Sequence, residues 1–172
     1  MLPTLSTQDH IARITFNSPD AANRLTVADL ECLMKHLHEI NHQPKITILI
    51  IGAMGKHFCA GFDIDSLQND AKDKSLLFEE VVNLIEDCRP ITIARIQGGV
   101  FGGATDLALA CDFRIGSTAA EMMMPAAKLG IHFYQRGLER YITRLGLDQA
   151  KRLLLLAEHL QSDEMKKIGF LT

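Results

Sequence analysis

Several features common in other proteins are missing from this sequence, and each absence narrows the class of protein. No apolar run approaches the length of a membrane span, so we expect no transmembrane helix. The N-terminus, MLPTLSTQDH, has no basic segment followed by an apolar one, so we expect no secretory signal peptide. The formal net charge of the 172 residues is -3, which gives no reason to expect nucleic acid or an anionic membrane as a partner.

Paired cysteines and two common catalytic signatures are also missing. The four cysteines form no C-x-x-C pair and lie far apart, so we expect reduced thiols and a cytoplasmic protein. The segment GGVFGG does not fit the G-x-G-x-x-G pattern and follows the third predicted strand instead of the first, which argues against a dinucleotide site. There is no G-x-S-x-G, so a serine hydrolase elbow is excluded.

The segments that are present alternate between strand and helix. Strands are predicted in HIARITF, which alternates apolar and polar residues, in the continuous β-branched run ITILIIGA, and in ITIARIQ and DFRIGS. Thr26 is a good N-cap for the helix that follows it, and Pro90 ends a second helix that starts near Leu76. Two or three helices are predicted after Gln135. This order predicts an α/β fold with mostly parallel strand pairing.

Two segments share one pattern: a buried strand, then small residues, then a polar loop or a helix. They are ILIIGAMGKHFCAGFDI and IARIQGGVFGGATDLALACD. Small residues allow a ligand to approach the main chain closely, and free N–H groups at a turn or helix N-terminus can donate to an anionic oxygen. Two such donors from separate segments would make an oxyanion hole. The alternative is that these glycines serve only tight turns between strand and helix.

Four segments in a fixed order carry a resemblance to a known family. They are NSPDAANRLT, GKHFCAGFDIDSL, GGVFGGATDLALACDFRI and EMMMPAAKLGI. Together they resemble the crotonase (enoyl-CoA hydratase/isomerase) superfamily over essentially the whole chain. The resemblance implies an α/β crotonase-like fold, the ClpP/crotonase spiral of β-β-α units, with residues 1–172 as a single core domain. The C-terminal helices that build trimers in the family are expected to be absent.

The resemblance also implies a catalytic device made of main-chain groups. In the family, two backbone N–H groups bind the thioester carbonyl oxygen as an enolate forms, and we assign them here to Ala60 and Gly103. Each such donor is worth on the order of 3 kcal/mol in the transition state. Cys59 then has no needed role, although a nucleophilic thiol is the competing interpretation of this segment.

The acidic residues are where the sequence departs from the family pattern. Of the two glutamates used by family hydratases, one corresponds to Asp106 and the other to Ala126, so one acid is shortened and the other is lost. Addition of water needs one group to activate the water and another to handle the α-proton, whereas a single acid can move a proton between carbons. Asp106 is expected to face the same pocket as Gly103. The alternative is a helix N-terminal acid that only suits the helix dipole.

The resemblance further implies contacts with the CoA and acyl parts of a substrate. His132 stands where the family often has a Pro-Gly turn, and it either lines the acyl pocket or is simply a hydrogen-bonded histidine. The residues assigned to substrate binding are Arg24, Leu25, Gly61, Phe62, Asp63, Ile64, Gly102 and His132.

Two functions remain open from the sequence. The first is an acyl-CoA-processing hydratase or isomerase that stabilises an enolate, with Ala60, Gly103 and Asp106 as its catalytic residues. The second is a non-catalytic acyl-CoA-binding or scaffold protein of the same fold, or a fragment of a longer chain. Under either, the partner is an acyl-CoA thioester, no metal or separate cofactor is expected because CoA belongs to the substrate, and a homo-oligomer, a trimer by resemblance, is expected.

Overall fold

In the part of the chain that the structure describes, eight short stretches of extended backbone build two sheets. The computed structural model describes residues 1–63 and 71–172, with the backbone alone for residues 71–75. In these residues the strands are β1 Thr4–Gln8, β2 Ile11–Phe16, β3 Ile48–Ala53, β4 Ile91–Ile96, β5 Gly99–Phe101, β6 Phe113–Gly116, β7 Glu121–Met123 and β8 Leu160–Gln161.

Helices follow or connect most of these strands. They are α1 Val27–Asn41, α2 Ala71–Glu86, α3 Gly103–Ala110, α4 Gln135–Leu145, α5 Leu147–Leu156 and α6 Ser162–Lys167, with short 3-10 turns at Pro19–Ala21 and Ala126–Leu129. The predicted start of α2 near Leu76 is wrong, since the helix begins at Ala71.

The larger sheet has the order β1-β2-β3-β4-β6. Its first pair is antiparallel, while β2–β3, β3–β4 and β4–β6 are parallel. The smaller sheet has the order β5-β7-β8. The prediction of an α/β fold with mostly parallel pairing is confirmed. Strands β1 and β5 were not predicted, because the sequence around each is short and polar or rich in glycine. Strand β8 was not predicted either, since it lies within the stretch after Gln135 that was assigned to helices.

Helix α1 shows how local sequence fixes an element and its packing. Thr26 caps the helix as predicted: its side chain accepts from the Asp29 N–H, and the Asp29 carboxylate accepts from the Thr26 N–H, which forms a capping box. Leu30, Leu33 and Leu37 share the face that is buried, as the i, i+3, i+7 spacing predicts. That face packs α1 into the core beside α2.

The glycine-rich turn after β5 places the N-terminus of α3 at the centre of the molecule. Seven of the eight α3 residues are buried, from Ala104 to Ala110, and α3 contacts both α2 and α4. A helix buried in this way offers its first N–H groups to the space in front of its N-terminus. Gly103 is therefore the first residue of this buried helix, where the second glycine segment was expected to supply an N–H donor.

Candidate active site

The two glycine segments meet side by side, as their shared pattern predicted. Cys59 forms a parallel bridge with Val100, the Phe101 N–H donates to the Cys59 carbonyl at 2.9 Å, and the Phe58 N–H donates to the Gly99 carbonyl at 2.9 Å. These main-chain bonds fix the segment that follows β3 against β5. The residues after Cys59 are consequently held against the turn that opens α3.

Gly61 is needed for this close approach. Its φ is +91°, a conformation that glycine adopts without strain. A Cβ atom at this position would lie 2.8 Å from the Phe101 carbonyl oxygen and 3.1 Å from the Gly103 nitrogen. Any larger residue would push the two segments apart, so Gly61 is needed for the shape of the site. Its assigned contact with substrate stays a prediction.

The assignment of Ala60 as an oxyanion donor is wrong. The Ala60 N–H donates to the carbonyl of Ala22 at 3.0 Å, so it is already used within the chain. Ala22 lies in the turn after the first 3-10 helix, at φ 50°, and that turn faces the Ala60 backbone. A donor with a strong internal acceptor cannot serve a substrate oxygen without losing that bond. Ala60 lines the cavity described below, but its N–H is not free.

Two other main-chain N–H groups at this junction are free. Gly103 is the first residue of α3, where an N–H has no partner inside the helix. Phe62 forms a parallel bridge with Leu25. In this bridge the Leu25 N–H donates to the Gly61 carbonyl, and the Leu25 carbonyl accepts from the Asp63 N–H. The N–H of Phe62, which lies between these two residues, therefore points away from Leu25. Among residues 1–63 and 71–172 neither the Phe62 nor the Gly103 N–H has a hydrogen-bond acceptor. The pair of donors that the structure offers is therefore Phe62 and Gly103.

An apolar cavity of about 240 Å³ lies in front of these donors. Phe78 from α2 is one of its walls, and its ring lies 5.9 Å from the ring of Phe62. The described residues that line the cavity are Ala60, Phe62, Phe78, Phe101, Gly102, Gly103, Met124, Pro125, Ala126, Leu129, Ile131, His132, Phe133 and Tyr134. A pocket that is mostly hydrophobic with a few placed polar groups is typical of a small-molecule site.

Asp106 does not line the cavity, contrary to the expectation that it faces the same pocket as Gly103. Its side chain is fully buried and is held by Arg140, with Nε at 3.0 Å from Oδ1 and Nη2 at 2.8 Å from Oδ2. This is a bidentate ion pair between two buried groups. The alternative interpretation, an acid that only suits the dipole of α3, does not describe it either, because Asp106 has its own cationic partner.

Arg140 connects Asp106 to a wider set of polar groups. Its Nη1 donates to Glu86 Oε2 at 2.7 Å and to Asn83 Oδ1 at 3.1 Å, so helices α2, α3 and α4 meet at one guanidinium. Burial opposes the charged form, but the hydrogen bonds that Arg140 donates to Asp106, together with the negative charge of Asp106, outweigh that effect and raise the pKa of Arg140. Arg140 is therefore a fixed positive charge next to Asp106 and the Tyr134 ring.

Tyr134 is the link between this buried ion pair and the cavity. Tyr134 lines the cavity, and its hydroxyl donates to Asp106 Oδ2. The ring stacks on Phe133 with centroids 4.7 Å apart, and the Arg140 guanidinium carbon lies 5.9 Å from the ring centre. Burial first, and then the negative charge of Asp106, raise the pKa of Tyr134 far above that of an ordinary phenol. Tyr134 is thus a neutral phenol at physiological pH.

Cys59 does not have the environment of a nucleophile. The thiol is completely buried and its Sγ donates to the Asn23 carbonyl at 3.0 Å. Burial raises the pKa of this thiol to about 12, which leaves almost no thiolate near neutral pH. The competing interpretation of this segment, a nucleophilic thiol, is therefore not supported, and a catalytic role for its backbone stays a prediction.

The residues assigned to CoA contacts divide into two groups. Leu25 is buried and uses its N–H and carbonyl to hold Gly61 and Asp63, so the structure gives it a bracing role instead of a ligand contact. Arg24 is partly exposed, and its Nη1 lies 3.3 Å from Asp63 Oδ1. This ion pair agrees with a bracing role for Asp63, while substrate binding by Arg24 stays a prediction. Ile64 lies outside the described residues.

The remaining assigned residues lie along the cavity wall. Gly102 donates through its N–H to the Met123 carbonyl at 2.9 Å and has φ 55°. His132 lines the cavity but is exposed, and its Nδ1 lies 3.1 Å from the Phe133 carbonyl oxygen. Ala126, which stands in place of the second acid, is one of the apolar wall residues. A substrate-binding role for Gly102 and His132 stays a prediction.

Two kinds of feature are absent from the described part of the chain. In residues 1–63 and 71–172, no group of three or more His, Cys, Asp or Glu side chains is arranged to hold a metal ion. The helices described there are all too short or too polar to cross a bilayer. The cytoplasmic location stays a prediction.

Sequence reasoning missed the residues that bind the Asp106 carboxylate. Arg140 and Tyr134 were not singled out, because they reach Asp106 across a long sequence separation that leaves no local pattern. Phe62 was assigned to substrate binding but not as a donor. The alternation of main-chain bonding along a bridged strand would have identified its N–H, had the pairing with Leu25 been known.

Comparisons with known proteins agree with this architecture. The family model described as enoyl-CoA hydratase/isomerase matches residues 6–172. A crotonyl-CoA hydratase of Syntrophomonas wolfei is 34% identical over 170 residues, which cover 96% of this chain and 65% of that protein. A peroxisomal Delta(3,5)-Delta(2,4)-dienoyl-CoA isomerase of Arabidopsis thaliana is 27% identical over 97% of this chain and 66% of that protein.

Solved structures show the same relationship in three dimensions. The crystal structure of an enoyl-CoA hydratase from Bacillus anthracis superimposes with a TM-score of 0.94 at 28% identity, over 99% of this chain and 69% of that one. The predicted crotonase-like fold is confirmed by this match. The present chain spans about two thirds of the length of these relatives, 65% in the case of the crotonyl-CoA hydratase. With a family model that matches nearly all of it, the chain belongs to the enoyl-CoA hydratase/isomerase family.

Proposed function

We propose that this chain is the core of an acyl-CoA-processing enzyme that stabilises a thioester enolate, with CoA arriving as part of the substrate. The observation that supports this most directly is the pair of free main-chain donors, Phe62 and Gly103, on adjoining segments that line one apolar cavity. Relatives named as a crotonyl-CoA hydratase and as a dienoyl-CoA isomerase act on thioesters, which agrees with the proposal.

The chemistry follows from where negative charge develops. Removal of a proton from the carbon next to a thioester sends the electron pair to the carbonyl oxygen. Two preplaced N–H donors stabilise that oxygen more strongly in the transition state than in the ground state, which is what lowers the barrier. The apolar walls exclude water, so each donor acts in a low dielectric. The N-terminus of α3 adds the positive end of a helix dipole at Gly103.

The polar groups of the cavity favour proton transfer over hydration. Hydration needs two groups that handle protons, and the position of the second acid is taken by Ala126. Of the described residues that line the cavity, the ones with a titratable side chain are His132 and Tyr134. We therefore propose double-bond migration or α-proton exchange as the reaction class.

The test measures enolate formation without assuming the final product. We expect the protein to exchange the α-protons of butyryl-CoA with deuterium oxide, as followed by proton NMR. We expect hydration of crotonyl-CoA, as followed by loss of the conjugated thioester absorbance, to be much slower than this exchange. A folded protein that exchanges no α-proton on short or medium acyl-CoA thioesters would overturn the proposed enzyme.

A second function is favoured by one observation, the loss of a free acid in the cavity. With Ala126 in place of one acid and Asp106 bound to Arg140, the same cavity would suit a protein that binds acyl-CoA without turning it over. Isothermal titration calorimetry separates the two proposals. Binding of butyryl-CoA together with no α-proton exchange would identify a binding or scaffold protein.

We also propose that the protein is a homo-oligomer, a trimer by resemblance. In α5 the Leu153 side chain is buried, whereas Leu155 and Leu156 are 65% and 61% exposed. One face of α5 therefore packs on the core, while the face that carries Leu155 and Leu156 is left uncovered within the described residues. Burying each leucine is worth about 2 kcal/mol, so an exposed pair favours association.

Sedimentation analysis measures the predicted association directly. We expect a species larger than the 19.1 kDa monomer at tens of micromolar protein, and partial dissociation in a Leu155→Lys, Leu156→Lys variant. A matched Lys151→Leu variant, which changes an exposed residue of the same helix, should not dissociate. A wild-type protein that stays monomeric would show that the leucine pair needs no partner.

A further inference from the structure

Tyr134 lines the cavity, whereas Asp106, the carboxylate that its hydroxyl contacts, does not. Asp106 is fully buried and does not line the cavity, while Tyr134 does line it and donates its hydroxyl proton to Asp106 Oδ2. Because that proton points at the carboxylate, the lone pairs of the Tyr134 oxygen are left to accept a proton or a hydrogen bond from elsewhere. A proton that moves between the cavity and Asp106 is therefore transferred through the Tyr134 oxygen.

The surroundings hold Tyr134 in this orientation. Phe133 stacks against its ring on one side, and the Arg140 guanidinium lies over the ring. Gly137 leaves room for the contact, since a Cβ atom there would come within 2.9 Å of the Tyr134 ring and 3.1 Å of Asp106 Oδ2. Arg140 in turn fixes Asp106 by two hydrogen bonds. The phenol and its carboxylate are thus positioned before any substrate arrives.

The deprotonated, phenolate form of Tyr134 is unfavourable in these surroundings. It would place a second negative charge against the Asp106 carboxylate in a buried setting, and burial and that charge raise the pKa of Tyr134 accordingly. Tyr134 therefore cannot act as a simple acid that gives up its proton and stays charged. A proton can pass through it only if its oxygen receives one proton as it releases the other.

We propose that Tyr134 is a catalytic residue that relays the substrate's α-proton to Asp106. The inference rests on the proposed enolate chemistry. As the α C–H bond breaks, its electron pair moves to the thioester oxygen held by the Phe62 and Gly103 N–H groups. The α-proton bonds to Tyr134 Oη while the phenol's own proton moves to Asp106 Oδ2. Tyr134 remains neutral, Asp106 becomes a neutral carboxylic acid, and the reverse transfers deliver a proton to the enolate.

Replacement of Tyr134 by phenylalanine tests the relay. Tyr134→Phe keeps the ring and its stacking but removes the oxygen, so we expect α-proton exchange of butyryl-CoA to fall by about a hundredfold or more. The dissociation constant for butyryl-CoA should change less than about threefold, since the oxyanion donors are untouched. Tyr141→Phe is the matched control: Tyr141 is buried, bonds Thr105 and does not line the cavity, so exchange should stay close to wild type.

A measurement on the wild type gives an independent check that needs no variant. Release of tritium from α-tritiated butyryl-CoA into solvent should be slower in deuterium oxide than in water, because the phenol's solvent-derived proton moves in the same step. Direct transfer from carbon to Asp106 would move no solvent-derived proton and would show no such difference. Absence of the solvent isotope effect overturns the relay, as does a Tyr134→Phe variant with exchange within about threefold of wild type.

The same experiments separate the relay from the proposed function. Wild-type exchange with an unaffected Tyr134→Phe variant overturns the relay alone and leaves enolate stabilisation standing. A wild type that binds butyryl-CoA but exchanges no α-proton overturns both. Wild-type exchange that is lost in Tyr134→Phe, with acyl-CoA binding retained and a solvent isotope effect present, supports the relay.

Discussion

Replacing Gly103 by proline lowers α-proton exchange of acyl-CoA by about a hundredfold or more, if the two free donors form the oxyanion hole. Proline removes the N–H that the structure leaves without an acceptor at the start of α3. The helix itself tolerates proline at its first position, because that N–H has no partner inside the helix. The loss of the donor should therefore appear as a fall in the rate of exchange beyond what an added Cβ atom at residue 103 causes.

The control for this prediction is Gly103→Ala. A Cβ atom on residue 103 would lie 2.6 Å from the ring of Phe78, so both substitutions force the same ring to move, but alanine keeps the N–H. The difference in exchange between the two variants therefore measures the donor, and circular dichroism checks that both fold. Equal exchange in the proline and alanine variants would remove Gly103 from the oxyanion hole.

The fold could be predicted from the sequence because its determinants are local. The β-branched run of β3, the Thr26 cap of α1 and the glycine-rich entry to α3 each act within a few residues. The meeting of the two glycine segments could also be predicted, since parallel strands bring their carboxyl ends to one edge. Strands β1 and β5 were missed because pairing partners, and not their own composition, make them strands.

The details of the site depend on partners that are distant in sequence. Whether the free donor is Ala60 or Phe62 is decided by the Ala22 carbonyl and by the register with Leu25, which no local pattern reveals. Likewise, the direction of the Asp106 carboxylate is decided by Arg140, one helix further along the chain. The sequence therefore located the site but misassigned one donor and the surroundings of the acid.

Replacing Arg140 by methionine is expected to lower the free energy of unfolding by about 3–5 kcal/mol, the cost of breaking a buried ion pair from one side. The reason is that Asp106 is fully buried and would lose both hydrogen bonds from the guanidinium. Glu86 would be affected less, because it keeps an ion pair with Arg136 at 2.8 Å. Urea unfolding followed by circular dichroism measures the loss.

The double variant Arg140→Met, Asp106→Leu separates the unpaired charge from the lost packing. It removes the carboxylate along with its partner, and replacing both members of a buried pair by apolar residues is often close to neutral. We therefore expect it to recover more than half of the stability lost in Arg140→Met. As a control, Arg152→Met breaks ion pairs with Glu158 and Glu164 at the surface and should hardly move the unfolding midpoint. If Arg140→Met unfolds at the same urea concentration as Arg152→Met, Asp106 does not depend on its guanidinium partner. In that case the carboxylate that the relay requires is not held in place by the ion pair.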